Sequence, residues 1–186
     1  LLIVLLAVVA TAAALRARRM RRLALTDELT GLPNRRSILA TLQAIRIAAG
    51  ERATVLLLDI DHFKSINDRL GHEIGDVVLR RVAEVGRRAL ADAGTLGRLG
   101  GEEFLAVLDA DPAAAGAAAE RLRAAVAAAD LGAVASGLQV TVSIGVARCA
   151  PSDQRLEDVV QRADAALYRA KAAGRNRVEI AERAAD

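Results

Sequence analysis

Uncharged residues, apolar except for Thr11, fill positions 1–15, and from there the pattern breaks into short alternating or helically spaced runs separated by glycines and charges. The first stretch is shorter than the roughly 20 residues that a full bilayer crossing requires. It carries no charge and starts without Met or a basic leader, so it reads as the C-terminal part of a transmembrane helix. A cleaved signal peptide is the weaker alternative, because no small-residue cleavage site precedes a secreted domain. Residues 16–26 place Met20, Leu23 and Leu25 among arginines and predict that the helix continues as a basic juxtamembrane stalk. The stretch is too short for a heptad pattern to establish pairing.

Beyond Thr26 the periodicity alternates between helix and strand. Gly31-Leu32-Pro33-Asn34 is a turn, since Pro33 restricts the residue before it. Arg36 to Ala49 puts Ile38, Leu42 and Ile45 or Ile47 on one helical face and ends at Gly50. Thr54 to Asp59 is a β-rich apolar run that reads as a buried strand. A loop follows at His62 to Gly75, then a helix from Asp76 to about Leu90 with Val78, Val82, Val85 and Ala89 inward. Thr95 to Leu99 and Phe104 to Leu108 flank Gly100-Gly101, a hairpin signal. Ala110 to Ala129 is alanine-dense and helical, with Leu122 and Val126 as a thin stripe covering one sheet face. Leu138 to Ala147 alternates Val140, Val142, Ile144 and Val146, which predicts a strand with one face buried. Asp158 to Ala173 is a last helix, with Val159 or Val160, Ala163, Leu167 and Ala170 inward and Gly174 at its end. Arg177 to Ile180 is a short final strand. Helices interleaved with strands and hairpins imply an α+β or α/β sheet with helices packed on it.

Length and composition narrow the class. The chain of 186 residues accommodates one domain and a short appendage. Aromatics make up 2% and Trp is absent, so the core is aliphatic. The single Cys149 excludes an internal disulfide and reads as a small apolar residue at a strand end. Two histidines do not make a zinc site. Arg16, Arg18, Arg19, Arg21 and Arg22 outnumber the net charge of +3, so the remainder of the chain is net acidic. Arginines beside a hydrophobic span put that side in the cytoplasm. No basic face argues for nucleic-acid binding.

The chemistry gathers in two acidic clusters. Arg98 to Leu108 sets Glu102 and Glu103 at the tip of the hairpin; consecutive strand residues point to opposite faces, so the two should have different jobs. Asp59-Ile60-Asp61 ends the first strand. Carboxylates at a strand end beside a hairpin tip can share a hard cation, and Mg²⁺ favours a few carboxylates completed by phosphate oxygens. Asp61 is equally well read as capping the turn that follows it.

Gly100-Gly101-Glu102-Glu103-Phe104 resembles the signature of the GGDEF family, the diguanylate cyclases, in its Glu-Glu variant. Further stretches match in the family's order: Asp27 to Arg36, Asp59 to Asp68, Gly71 to Asp76, Thr141 to Ala147 and Ala166 to Arg177. The resemblance covers roughly Leu25 to Ile180, and several motifs in register are far more specific than one. It implies a mostly antiparallel central sheet with helices packed on it, like the palm of polymerases and class III nucleotidyl cyclases. The implied division is a partial membrane helix over 1–15, a stalk over 16–26 and a cyclase domain over 27–181.

The implied reaction condenses two GTP into cyclic di-GMP across a homodimer, with two Mg²⁺ or Mn²⁺ ions per site. By the same resemblance Asp59, the Ile60 carbonyl, Glu102 and Glu103 ligate metal, and Glu102 also activates the 3′-hydroxyl. Backbone N–H groups around Asp61, Phe63 and Lys64 meet the β and γ phosphates, and Lys171 and Arg175 form a phosphate-contacting pair. Asn67 and Asp76 read the guanine edge, whose N1–H and N2–H are paired donors that adenine lacks. His72 is a ribose or base contact, or a loop-stabilising hydrogen bonder. Asp76 also reads as the N-cap of its helix. The family's Arg-x-x-Asp product-inhibition site falls on Ala91 and Gly94, so inhibition through it is not expected. The rival reading is a receptor module of the same fold that binds GTP or cyclic di-GMP without turnover. The expected location is the cytoplasmic membrane, with the domain in the cytoplasm and the stalk helping to pair protomers.

Overall fold

The computed structural model describes residues 16, 24–132, 135 and 137–182. The hydrophobic segment at 1–15 and most of the stalk at 16–26 lie outside the described residues. Among the described residues no helix is long and apolar enough to cross a membrane.

Helix α1 (Arg35–Ala49) begins where the Asn34 side chain accepts the Ser37 N–H, and it ends at Gly50, whose φ of 57° suits glycine. Ile38 and Leu42 are its buried residues and Ile45 packs beside them, whereas Ile47 is 76% exposed and points to solvent. A single 3₁₀ turn leads into strand β1 (Ala53–Ile60), which is buried along its whole length. Helices α2 (Phe63–Leu70) and α3 (His72–Ala89) follow, then strands β2 (Gly94–Gly100) and β3 (Glu103–Asp109). Helix α4 (Pro112–Ala127), strand β4 (Val142–Arg148), helix α5 (Leu156–Ala172) and strand β5 (Val178–Ile180) complete the order.

The five strands lie in the order β2-β3-β1-β4-β5, antiparallel throughout except for the parallel β4–β5 pair. Both faces of the sheet are covered. Leu56, Leu58, Ile60, Phe104, Leu108 and Ile144 meet Val78 and Val82 of α3 and Leu122 and Val126 of α4. On the other face Val55, Leu57, Leu105 and Val107 meet Ile38 and Leu42 of α1 and Val159, Ala163 and Leu167 of α5. The mostly antiparallel sheet sandwiched by helices is the expected architecture.

Two elements differ from the reading of the sequence. From Phe63 to Gly75 the segment is helical apart from Gly71, whose φ of 88° separates α2 from α3. Only Phe63 and Ile66 of α2 are buried, too few apolar positions to announce a helix against its polar remainder. Helix α3 therefore starts at His72, and Asp76 sits one turn inside it; the N-cap reading of Asp76 is overturned.

Strand β4 is buried on both faces and starts at Val142, although Val140 before it is also buried. Its alternation is between large and small residues. Ser143, Gly145 and Ala147 face α5, and a β-carbon on Gly145 would stand 2.0 Å from the Ala163 carbonyl oxygen. The helix packs backbone to backbone on this strand, and the small residues are what permit it.

Candidate active site

The hairpin that carries the paired glutamates is set by its turn. Gly100 pairs with Glu103, and the register shifts between Arg98 and Gly100. The two-residue turn is therefore Gly101-Glu102, one residue later than a Gly-Gly turn would be. Gly100 at φ 146° and Gly101 at φ 52° supply conformations that residues with a β-carbon rarely adopt. Glu102 projects from the turn and Glu103 opens β3, so the difference between them is turn against strand and not the two faces of one strand.

Arg98 holds this turn to the start of the domain. Its Nε and Nη2 donate to the Gly101 carbonyl at 3.0 and 2.7 Å. Its Nη1 donates to both Asp27 oxygens at 3.1 and 3.2 Å. Asp27 in turn accepts the Thr30 N–H and hydroxyl at 2.9 and 2.6 Å. Burial pushes the Asp27 carboxyl up, but the Thr30 bonds and the Arg98 guanidinium outweigh it and hold the group below the ordinary aspartate value. Neither Arg98 nor Asp27 was singled out for the site from the sequence. The signal was there, since both lie within motif stretches, but their pairing across 71 residues was not legible.

Asp59 and Glu103 are direct cross-strand partners on β1 and β3, so both carboxylates stand on the α1/α5 face of the sheet. Asp59 is buried, and Lys171 of α5 reaches it with Nζ 2.8 Å from Oδ2. Burial raises the Asp59 carboxyl, and the bond and charge of Lys171 only partly oppose this; the charges of Glu102 and Asp61 add to the rise. Glu103 is also raised, first by burial, then by Asp59 and Asp164. It lines a cleft with Arg35, Leu39, Leu57 and Asp164.

Among the described residues no three acidic, histidine or cysteine side chains form a preformed cage for a metal ion. The donor set nonetheless fits a divalent cation of the hard, oxygen-loving kind. Carboxylates already close enough to raise one another's proton affinity gain by neutralisation, and Mg²⁺ takes few protein ligands and completes its shell with substrate oxygens and water.

Asp61 has a structural role. It is 5% exposed and accepts the Thr141 hydroxyl at 2.7 Å, the Ser143 hydroxyl at 2.7 Å and the Asn176 N–H at 3.0 Å. These bonds tie the end of β1 to the loop after α5. There Arg175 and Asn176 adopt left-handed φ values of 64° and 45°, and the exposed Arg175 lies just past the helix that presents Lys171.

The α2 end of the site is less crowded. His62 precedes α2 in a left-handed conformation at φ 58° and gives it no side-chain cap. Helix N-termini leave N–H groups for an anion, here those of Phe63 and Lys64. The Phe63 ring is in the core, while Lys64 and His72 are exposed. Asn67 and Asp76 are half-buried, and Asn67 Oδ1 is buried with no hydrogen-bond partner. Ala91 is exposed in the turn after α3. A β-carbon on Gly94 would stand 2.4 Å from the Val107 carbonyl oxygen, so the inhibitory pair is missing its side chains and β2 leaves no room for one of them.

Comparison with known proteins gives a consistent result. Residues 24–177 match the family described as diguanylate cyclase, GGDEF domain. The chain is 46% identical over 165 residues to the diguanylate cyclase DgcP of Pseudomonas aeruginosa, spanning 87% of this chain and 24% of that protein. It is 43% identical over 167 residues to the response regulator PleD of Caulobacter vibrioides, spanning 84% and 36%. These curated relatives are thus several times longer than the segment they share with it. The crystal structure of the coiled coil and GGDEF domain of DgcB from Caulobacter crescentus, in complex with c-di-GMP, superposes with a TM-score of 0.84. That match has 35% identity and covers 95% of this chain and 97% of that one.

Proposed function

The chain belongs to the GGDEF diguanylate cyclase family, and from that premise we propose that it condenses two GTP into cyclic di-GMP and two pyrophosphates. The observation that carries the proposal is the meeting of the hairpin with β1, which sets Glu102 and Glu103 beside Asp59 within reach of Lys171. A receptor that only binds nucleotide has no use for mutually repelling carboxylates at the place where phosphates must sit.

In the reaction the 3′-oxygen of each GTP loses its proton, bonds to the α-phosphorus of the other and expels pyrophosphate. Asp59, the Ile60 carbonyl, Glu102 and Glu103 would hold a pair of Mg²⁺ or Mn²⁺ ions, which would supply charge neutralisation for the attacking and leaving oxygens. Glu102, projecting from the turn, takes the hydroxyl proton. The N-terminal N–H groups of α2 at Phe63 and Lys64 hold the terminal phosphates, and Lys171 and Arg175 offset their charge. Asp76 accepts the paired N–H donors of guanine and the Asn67 amide meets the same base, with His72 at the rim.

One such domain holds one GTP, so two domains face each other as a homodimer. The basic stalk aligns them beside the cytoplasmic membrane, as the coiled coil present with the GGDEF domain in the DgcB structure supports by analogy. The test is product analysis with GTP and Mg²⁺. Cyclic di-GMP from the parent and none from Glu102→Gln is expected; bound but unconverted GTP in the parent would favour the receptor reading.

A further inference from the structure

Asn67 stands one turn before Gly71 and Gly75 one turn after it, so the break between α2 and α3 folds the two onto each other. A β-carbon on Gly75 would lie 1.9 Å from Asn67 Oδ1 and 3.0 Å from its Cγ, with Phe63 Cζ at 3.2 Å. Gly75 is buried inside α3 and has no positive φ, so its backbone is open to any residue. What demands glycine there is space. Glycine inside a helix is unfavourable, and so is the buried, unpartnered Asn67 Oδ1 that lies over it. Two local penalties meet at one point, the mark of a position set by function and not by stability.

We propose that Gly75 is a positioning residue for nucleobase recognition: its bare α-carbon seats the Asn67 amide, fixing that side chain to face the guanine edge alongside Asp76. This rests on the assignment of Asn67 and Asp76 to the base. With the carbonyl end pressed on Gly75, the amide nitrogen is the end left for the ligand, a donor for a ring acceptor of guanine next to the N–H groups that Asp76 accepts. A β-carbon at 75 levers the amide out of place, and the nearest atoms it meets belong to Asn67 and Phe63.

The experiment is a double-mutant cycle on the 186-residue chain with Gly75→Ala, Asn67→Ala and the pair, reading GTP affinity by calorimetry, KM and kcat for GTP, and the melting temperature. Gly75→Ala is expected to weaken GTP binding and raise KM by about tenfold, the scale of one lost hydrogen bond, with kcat changed far less. In the Asn67→Ala background it is expected to change neither by more than about twofold, because the atoms it displaces are gone. The melting temperature lost in Gly75→Ala is expected to return in the pair. Equal losses in both backgrounds, or unchanged affinity in Gly75→Ala, would overturn the proposal. So would a pair that melts no higher than Gly75→Ala alone. A parent chain that binds no GTP overturns the base assignment instead, and the melting cycle still decides whether Gly75 is the seat of Asn67.

Discussion

Arg98 does at residue scale what no single backbone hydrogen bond could, because its planar fork bonds the turn carbonyl and Asp27 together. Arg98→Ala is expected to cost roughly 1–3 kcal/mol, the range for a hydrogen-bonded charge left without its partner, and to loosen the turn that presents Glu102. Urea denaturation checks the first effect and GTP turnover the second; Arg98→Lys restores neither, since an ammonium cannot bridge both acceptors. The pH sign follows from the lowered Asp27 carboxyl. The contribution of this pair is present above the ordinary aspartate range and is lost as pH falls through the depressed value. The gap in stability between parent and Arg98→Ala therefore closes in acid, and a gap independent of pH would count against the ion pair. Asp59 and Glu103 run the other way, holding protons to higher pH than free carboxyls. Where those protons are held a divalent cation must displace them, so its affinity is expected to fall as pH drops through the raised carboxyl range, with proton release on binding there seen by calorimetry in buffers of different ionisation heat. A pH-independent affinity without proton release would contradict the assignment of these carboxylates.

The elements show why parts of the fold were legible and others not. Gly145→Ala is expected to be among the most damaging single-methyl additions, because the new carbon meets the Ala163 carbonyl oxygen at 2.0 Å and the Leu167 nitrogen at 2.4 Å. Backbone cannot yield as a side-chain tip does, so a loss at or above the usual 1–3 kcal/mol of overpacking follows. Displacing α5 also moves Lys171, so activity falls with stability; a parent-like denaturation midpoint would show that the helix stands farther from the strand. The alternation of β4 was readable, yet its second buried face was not, since Ser143, Gly145 and Ala147 look polar or neutral until a helix backbone lies on them. Helix α2 was missed for the converse reason, having only Phe63 and Ile66 to bury. The site carboxylates were legible from their motifs, whereas the Arg98–Asp27 tie and the three bonds of Asp61 depend on contacts between distant parts of the chain. The same close-approach argument bears on β2. Installing Ala91→Arg with Gly94→Asp is expected to fail to create product inhibition and to destabilise the hairpin, because Gly94 has the Val107 carbonyl against it. A stable variant that gains inhibition by cyclic di-GMP would refute this.

At the scale of the whole molecule, the proposed function gives one domain a single set of carboxylates, a single helix end for phosphates and a single pair for the base, while the proposed product joins two nucleotides. On the proposed function the chemistry is therefore complete only between two copies. The measurement that tests this most directly is the rate of cyclic di-GMP formation from GTP and Mg²⁺ as a function of chain concentration. A rate per protomer that climbs with concentration and then levels off as dimers saturate is the predicted result. A rate per protomer that is constant from the most dilute sample upward, or no product at any concentration at which GTP is bound, would contradict a cyclase assembled from two half-sites.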